Sequence, residues 1–347
     1  MLSTLRISLV SIVAIVLMVS IGCTSEEETN ESPLGDGSEQ SISSDEVAPG
    51  EATLYTVWPF DADEALRRQE ETAETHDIPV EYENKIGMKF RLIPAGEFMM
   101  GSPEVEEDHY SDEGPVHCVR LTQPYYVSAH EVTQSQWEEV MGTTLADLKD
   151  TDWHYVGQGP HNPMYWISWF DAVAFCNALS EREGKSPYYK MTNVERADYG
   201  REPGIESATV KILGGLGYRL PSEAEWENAC RAGCEDPYYG EVDEIAWHSD
   251  NSYKKMRSVG EKLPNSFGLF DLHGSVWEWC GDFYDKDYYS VSQMTNPTGP
   301  STGIVRVFRG GSFNNHARTC RSANRFGSTP DCRNSRVSGF RLACSAE

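Results

Sequence analysis

The chain has 347 residues, 39% of them hydrophobic and 11% aromatic, which is enough for a sizeable core and too apolar for a disordered protein. Its 29 Lys and Arg residues stand against 55 Asp and Glu residues, a formal net charge of -26. Because this charge repels phosphate groups, we expect neither nucleic acid nor an anionic membrane surface as a charge-bound partner. The sequence contains no P-loop and no G-x-S-x-G motif, so no nucleotide partner and no serine hydrolase are predicted.

The first 22 residues are predicted to be an export signal. Arg6 precedes an apolar run over residues 7–22, which is at the short end for a bilayer span. The run ends in Gly22-Cys23 and resembles a bacterial lipoprotein signal, in which the Cys becomes lipidated. Ser20 departs from the aliphatic residue usual at that position, and the alternative is an uncleaved signal anchor. Both interpretations export the chain and leave it attached to the bacterial cell envelope, with Cys23 as the predicted lipid anchor.

An acidic, low-complexity segment follows the signal. Between Thr24 and Leu66 the sequence has twelve carboxylates and no Lys or Arg, so it cannot bury enough apolar surface to fold. The predicted organisation is a signal peptide over residues 1–22, a disordered acidic tether over 23–52, a short helical lead-in over 53–83 and a folded domain over 84–347. The lead-in is predicted to form an exposed helix over residues 61–75.

The folded region is predicted to contain many short elements between long loops. Residues 88–100 alternate in polarity and carry Gly and Pro, which predicts two strands of a hairpin. Thr133 and Ser222 are predicted helix N-caps, Ser222 with Glu225 as a capping box. Residues 168–179 place apolar side chains at helical spacing. Short strands are expected within 268–282, 305–312 and 337–343, so the fold class is α+β and loop-rich.

Charged and aromatic residues in these elements have ordinary structural interpretations. The glutamates of the helix after Ser222 are predicted to form a solvated face with a cap; they are Glu223, Glu225 and Glu227. The C-terminal arginines are predicted to form structural ion pairs, with contact to an acidic peptide as the alternative; they are Arg309, Arg321, Arg325 and Arg341. Three tryptophans are assigned to the core and not to a site; they are Trp226, Trp277 and Trp279.

Four motifs in a fixed order give the chain a family resemblance. RLPSEAEWE (219–227), GSVWEW (274–279), RGGS (309–312) and GFR (339–341) together resemble the sulfatase-modifying-factor family, whose founder is the formylglycine-generating enzyme. The matching stretches span roughly residues 84–347. The resemblance implies the family's α+β fold, which is related to C-type lectins and poor in regular secondary structure.

The resemblance also implies where copper chemistry would occur. The founder uses oxygen and copper(I) to oxidise a sulfatase cysteine, and it holds the soft metal with two thiolates, three and eight positions after the Ser of a Gly-Gly-Ser strand. Here that serine is Ser312, so the two positions are Asn315 and Cys320. One thiol is kept and the other is replaced by a carboxamide, a poor copper(I) ligand. His316, beside Asn315, is the alternative partner for Cys320.

Calcium is the other cofactor that the resemblance implies. The founder's cage corresponds to the side chains of Asp271 and Glu278 and the backbone carbonyls of Gly274 and Val276, all hard oxygen ligands that suit Ca²⁺. The alternative is that Asp271 caps a turn and Glu278 pairs with an arginine. A second family calcium site is only partly kept. Its start corresponds to Asn251 and Ser252.

Export permits disulfides, and the chain has nine cysteines. The resemblance to family paralogues leads us to expect a Cys280–Cys320 disulfide. Cys176 lies at a position where the founder has a disulfide cysteine, and Cys344 is a possible partner for it.

Two classes of function remain. The first is an anchored binding or scaffold module without copper oxidase activity, which takes a protein or peptide partner in the cell envelope. The alternative is an active formylglycine-generating oxidase, or a related metal-dependent oxidation, with an unusual copper centre. The residue at position 315 separates the two, because chemistry that needs two thiolates tolerates one hard ligand poorly.

Overall fold

The computed structural model describes residues 52–148, 157–198, 200, 202–333 and 337–346. The predicted export signal, Cys23 and all of the acidic tether except Ala52 therefore lie outside the described residues. Within the described ranges, no helix is long and apolar enough to cross a membrane.

The described residues form six α-helices. They are α1 (Ala62–His76), α2 (Gln134–Met141), α3 (Leu145–Leu148), α4 (Trp169–Arg182), α5 (Glu223–Arg231) and α6 (Val242–Ile245). Thr133 and Ser222 cap α2 and α5 as predicted, each in a capping box whose third residue closes back on the cap. Helix α1 confirms the predicted lead-in helix, but one of its faces is buried, with Ala65, Arg68 and Gln69 among the buried residues.

The same part of the chain forms fourteen short strands. They are β1 (Glu81–Glu83), β2 (Lys89–Ile93), β3 (Gly96–Met100), β4 (His117–Leu121), β5 (Tyr125–Ser128), β6 (Tyr189–Asp198), β7 (Pro203–Ile212), β8 (Ala246–Trp247), β9 (His273–Gly274), β10 (Trp277–Phe283), β11 (Arg306–Arg309), β12 (Arg325–Ser328), β13 (Ser338–Gly339) and β14 (Ala343–Ser345). The described helices and strands are mixed and separated by long loops, which agrees with the predicted α+β class.

The strands form two four-stranded sheets and three two-stranded ones. The larger sheets have the orders β1-β2-β5-β14 and β12-β11-β10-β13. The predicted hairpin over residues 88–100 is wrong, because β2 pairs with β1 and β5 while β3 pairs with β4. Pro94 lacks the N–H that a ladder needs, and the carbonyl of Ala95 instead accepts from the Tyr55 N–H at 3.2 Å. The chain therefore leaves one sheet and enters another at this point.

Buried aromatic residues join the elements. Trp279 stacks on Phe308 with ring centroids 3.6 Å apart and donates to the Ile167 carbonyl at 2.9 Å. Trp169 donates to the Cys280 carbonyl at 2.9 Å. Each large ring thus packs in the core with its polar N–H satisfied, as buried tryptophans require.

A buried ionic cluster fixes α5 against the second large sheet. Glu223 pairs with Arg309 at 2.7 Å and with Arg325 at 2.6 Å, and Glu227 pairs with Arg231 at 2.9 Å and with Arg309 at 2.5 Å. The predicted solvated face is therefore wrong for Glu223 and Glu227, which are almost fully buried. The prediction of structural ion pairs for the C-terminal arginines is confirmed. The helical spacing of the glutamates could not reveal that Arg309 and Arg325, from distant strands, pair with them.

Candidate functional site

A cleft of about 510 Å³ opens beside β10 and β12. Four aromatic side chains line it, together with amide groups; they are Tyr110, Trp277, Tyr284, Phe326, Asn315 and Asn324. Phe326 is 55% exposed, so its ring is accessible to a ligand in the cleft. The rest of the lining is polar or charged and consists of Ser111, Asp112, Lys286, Thr319 and Arg325. The cleft therefore offers aromatic surfaces beside polar groups, a combination found in binding sites.

One wall of the cleft is the loop that contains Tyr110 and Asp112. Arg321 holds this loop by pairing with Glu113 at 2.5 Å and by donating to the Asp108 carbonyl at 2.6 Å. Asp112 accepts a hydrogen bond of 2.8 Å from the Tyr284 hydroxyl. The cleft wall is thus fixed by charge-assisted hydrogen bonds, so its shape is set before any ligand binds.

Asn315 lies in this cleft. Its carboxamide oxygen accepts from the Trp277 indole N–H at 2.9 Å and from the Ser312 hydroxyl. These two donors occupy the two lone pairs of the oxygen. The amide N–H₂ group has no hydrogen-bond partner among the described residues, so it is the donor that Asn315 presents to a ligand. Trp277 is therefore a site residue as well as a core residue, which the sequence assignment to the core missed.

Cys320 is fully buried and does not line the cleft. Its thiol lies 3.9 Å from the His316 carbonyl oxygen, and burial raises its pKa to about 12. Burial thus disfavours the thiolate, the form in which a cysteine binds a metal. A Cβ atom at Gly311 would lie 2.7 Å from the Cys320 sulfur, so a glycine is needed there for this close packing.

The structure does not bring the His316 imidazole to the Cys320 thiol. His316 is exposed, and its Nδ1 lies 3.5 Å from the Ser249 hydroxyl. Within the residues that the structure describes, no three His, Cys, Asp or Glu side chains converge as a metal site. The two side chains make separate contacts, and copper binding by His316 and Cys320 stays a prediction.

The residues predicted for calcium are engaged with protein partners. Both carboxylate oxygens of Glu278 pair with Arg341, at 2.6 and 2.7 Å, and one of them also accepts from Trp226 at 2.7 Å. Asp271 accepts from the Gly260 N–H at 2.6 Å. Gly274 lies in β9, and Val276 directly precedes β10. For Glu278 this is the arginine pairing that the sequence left as an alternative.

A carboxylate that sequence reasoning missed lies near this group. Glu131 is almost fully buried, and neither of its carboxylate oxygens has a hydrogen-bond partner among the described residues. Burial and the negative charges of Asp271 and Glu278 hold the pKa of Glu131 well above its usual range. These carboxylates do not converge as a metal site among the described residues, and calcium stays a prediction for this region. No sequence signal marked Glu131, because it stands in an ordinary position shortly before α2.

The residues of the second predicted calcium site are also hydrogen bonded. Asn251 accepts from the His248 N–H at 2.9 Å and donates to Asp243 and to the Ala246 carbonyl. The Ser252 hydroxyl donates to the Phe313 carbonyl at 2.8 Å. Both side chains close a loop locally, and calcium binding there stays a prediction.

The predicted disulfides are not formed in the structure. Cys176, Cys280, Cys320 and Cys344 are all free thiols. Cys280 belongs to the core cluster around Trp226, whereas Cys320 packs against Gly311. The Cys344 sulfur lies 3.2 Å from the Tyr82 hydroxyl. The disulfide between Cys280 and Cys320 that the family paralogues led us to expect is therefore absent from the described residues.

The comparisons with known proteins agree with the fold. The family model described as sulfatase-modifying factor enzyme 1-like domain matches residues 79–346. The formylglycine-generating enzyme of Thermomonospora curvata is 30% identical over 77% of this chain and 97% of that enzyme. A chaperone protein, LppX, of Paenibacillus barcinonensis is 30% identical over 53% of this chain and 69% of that protein. The structure of Treponema denticola variable protein 1 is 30% identical, with a TM-score of 0.64 over 77% of this chain and 99% of that one.

The chain therefore belongs to the sulfatase-modifying-factor family, and its fold is that of formylglycine-generating-enzyme-like proteins. Both conclusions confirm what the four ordered motifs implied.

Proposed function

We propose that this protein is an anchored binding module of the family that takes a polypeptide segment in the cleft around Asn315 and does not carry out copper-dependent oxidation. The observation that carries the proposal is the chemistry of position 315. Where the oxidase needs a thiolate, this cleft holds a carboxamide whose oxygen is already bonded to Trp277 and Ser312.

The remaining thiol supports the same proposal. Cys320 is buried, its burial disfavours the thiolate form, and it lies outside the cleft lining. A copper(I) ion bound in the cleft would have one hard amide and no accessible thiolate, a ligand set that this soft metal disfavours. The cleft still presents aromatic rings and polar groups, so it can bind a ligand without oxidising it.

A polypeptide suits the groups that the cleft presents. The free N–H₂ group of Asn315 can donate to a peptide carbonyl, and Trp277 and Phe326, with ring centroids 5.8 Å apart, can receive an apolar or aromatic side chain. The relative from Paenibacillus barcinonensis is named a chaperone, a class of protein that binds polypeptides without changing them covalently. Binding of an extended segment with an aromatic residue is therefore the function that we expect.

Substitution of the exposed cleft aromatic tests this function. Fluorescence anisotropy would measure binding of labelled extended peptides with and without aromatic residues to the full chain. Phe326→Ala should weaken binding of the aromatic peptides about tenfold, since a central aromatic contact typically dominates such sites. Tyr253→Ala is the matched control, because Tyr253 is 78% exposed and does not line the cleft. Equal affinity in Phe326→Ala and wild type, or no binding of any peptide, would sink the proposal.

We also propose that the chain is exported and attached to the cell envelope through a lipid on Cys23. The support is the sequence alone: an apolar run that ends in Gly22-Cys23, followed by an acidic, polar segment. In that arrangement the acidic segment would act as a spacer between the lipid and the binding cleft.

A further inference from the structure

The chain leaves β7 in a turn over residues 212–216 that carries three exposed aliphatic side chains and is here called the apolar turn. Ile212 is 59% exposed, Leu213 55% and Leu216 43%. Gly214 and Gly215 have φ angles of +78° and +96°, which favour glycine. A Cβ atom added to either glycine would meet no atom within 4 Å apart from its chain neighbours. Open space therefore surrounds the turn, and its aliphatic side chains face solvent.

Lysines lie around the apolar turn. Lys190 of β6 and Lys211 of β7 are direct register partners, so two like charges face each other across the strand pair. The Leu213 N–H donates to the Tyr188 carbonyl at 2.8 Å, which places the segment before β6, with Lys185, beside the turn. Neither Lys190 nor Lys211 pairs with a carboxylate among the described residues. Opposed like charges destabilise a strand pair, so an anion at this place would relieve the repulsion.

The sequence around the turn is poor in carboxylates. Residues 184–194 and 207–222 contain no Asp or Glu, although the chain has 55 of them. Glu183 directly precedes the first stretch and accepts from the Tyr218 hydroxyl at 2.8 Å, so the three lysines outnumber it. At physiological ionic strength, exposed charges more than about 8 Å apart are largely screened from each other. The net charge of the whole chain therefore does not decide what this patch binds.

We propose that the apolar turn docks on an anionic lipid surface. Its three aliphatic side chains would enter the headgroup region, and the three lysines would contact lipid phosphates, the combination by which proteins bind at membrane interfaces. An exposed apolar patch marks either a membrane or a protein contact. The small projecting turn with lysines beside it favours the membrane. The inference is independent of peptide binding, because the turn shares no residue with the lining of the cleft.

Photo-crosslinking on the full chain tests where the membrane contact lies. The crosslinker p-benzoylphenylalanine would be placed at Leu213, and the protein would be illuminated with vesicles of equal parts phosphatidylglycerol and phosphatidylcholine. Mass spectrometry should find lipid adducts at position 213. The same crosslinker at Ile304, an aliphatic residue that is 84% exposed and lies outside the turn, should give none. Equal lipid adducts at both positions, or adducts of position 213 with polypeptide only, would overturn the proposal.

Vesicle flotation of charge variants tests the lysines. The double variant Lys190→Gln/Lys211→Gln should bind the same vesicles about tenfold more weakly, since each lysine near an anionic surface adds to binding. Lys254→Gln/Lys255→Gln is the matched control, because it makes the same change in charge at two exposed lysines elsewhere. It should keep wild-type affinity.

The N-terminal segment is common to all variants, so only differences between variants count. Wild-type affinity in Lys190→Gln/Lys211→Gln would overturn the proposal. So would equal weakening in the two double variants, because net charge alone would then explain the binding. Peptide binding measured on the same samples shows that each variant is folded, and it keeps this result separate from failure of the cleft proposal.

Discussion

The side chain at position 315 determines which chemistry the cleft can hold. A thiol there would be free to ionise and bind a soft metal, whereas the Asn315 oxygen is locked by Trp277 and Ser312 and its nitrogen can only donate. The substitution was visible in the sequence because the Gly-Gly-Ser strand fixes the count of residues after it. The hydrogen bond that Asn315 accepts from Trp277 was not visible in the sequence, since it depends on tertiary packing.

Glu227 illustrates the other kind of residue, one that the sequence misplaced at the surface. Burial alone would raise its pKa, but the charges of Arg231 and Arg309 outweigh burial and hold the pKa below its usual value of 4.5. Because the folded pKa is depressed, the ion pairs contribute stability above about pH 4.5 that is lost as the pH falls further.

Glu227→Gln should lower the free energy of unfolding by about 3 kcal/mol at pH 7. The substitution removes the negative charge that pairs with the buried guanidinium groups of Arg231 and Arg309. Urea unfolding monitored by tryptophan fluorescence measures this change, and the difference from wild type should shrink at pH values below about 4.5. The same substitution at Glu139, whose pair with Arg182 is half exposed, should cost less than about 1 kcal/mol. Equal losses of unfolding free energy in the two variants would mean that the buried ion pairs stabilise the fold no more than an exposed pair does.

At the scale of elements, the sequence predicted the features that depend only on residues close in the chain, such as the starts of helices. Thr133 and Ser222 begin helices because their side chains accept from backbone N–H groups three residues on, a relation that is readable from the sequence. The pairing of the strands could not be predicted from the sequence. Strands β2 and β3 are adjacent in sequence but belong to different sheets, since Pro94 and the contact of Ala95 with Tyr55 separate them.

The site shows the same division. Motif order placed Ser312, Asn315 and Cys320 in one stretch, and this assignment was enough to question the copper chemistry. The sequence did not indicate Phe326 or Glu131, because a side chain's exposure and missing partners are properties of tertiary packing. Residue spacing also could not show that Cys320 is buried and absent from the cleft lining.

At the scale of the whole molecule, the proposed anchor and the described domain have separate tests. If Cys23 is lipidated, mass spectrometry of the N-terminal peptide of the protein from its native membrane should find acyl groups on Cys23 and no residues before it. Cys23→Ser should lose the acyl groups and the cleavage. A wild-type protein that keeps residues 1–22 and an unmodified Cys23 would instead support the uncleaved signal anchor.

The most direct measurement of the central claim is an oxidation assay. The purified full chain would be incubated with copper(I), oxygen and a C-x-P-x-R peptide, and mass spectrometry would follow conversion of the peptide cysteine to an aldehyde, with the Thermomonospora curvata enzyme as the positive control. We predict no conversion by this chain under conditions in which the control turns over. Conversion that disappears in Cys320→Ser would contradict the account, because it would make the buried thiol a catalytic copper ligand.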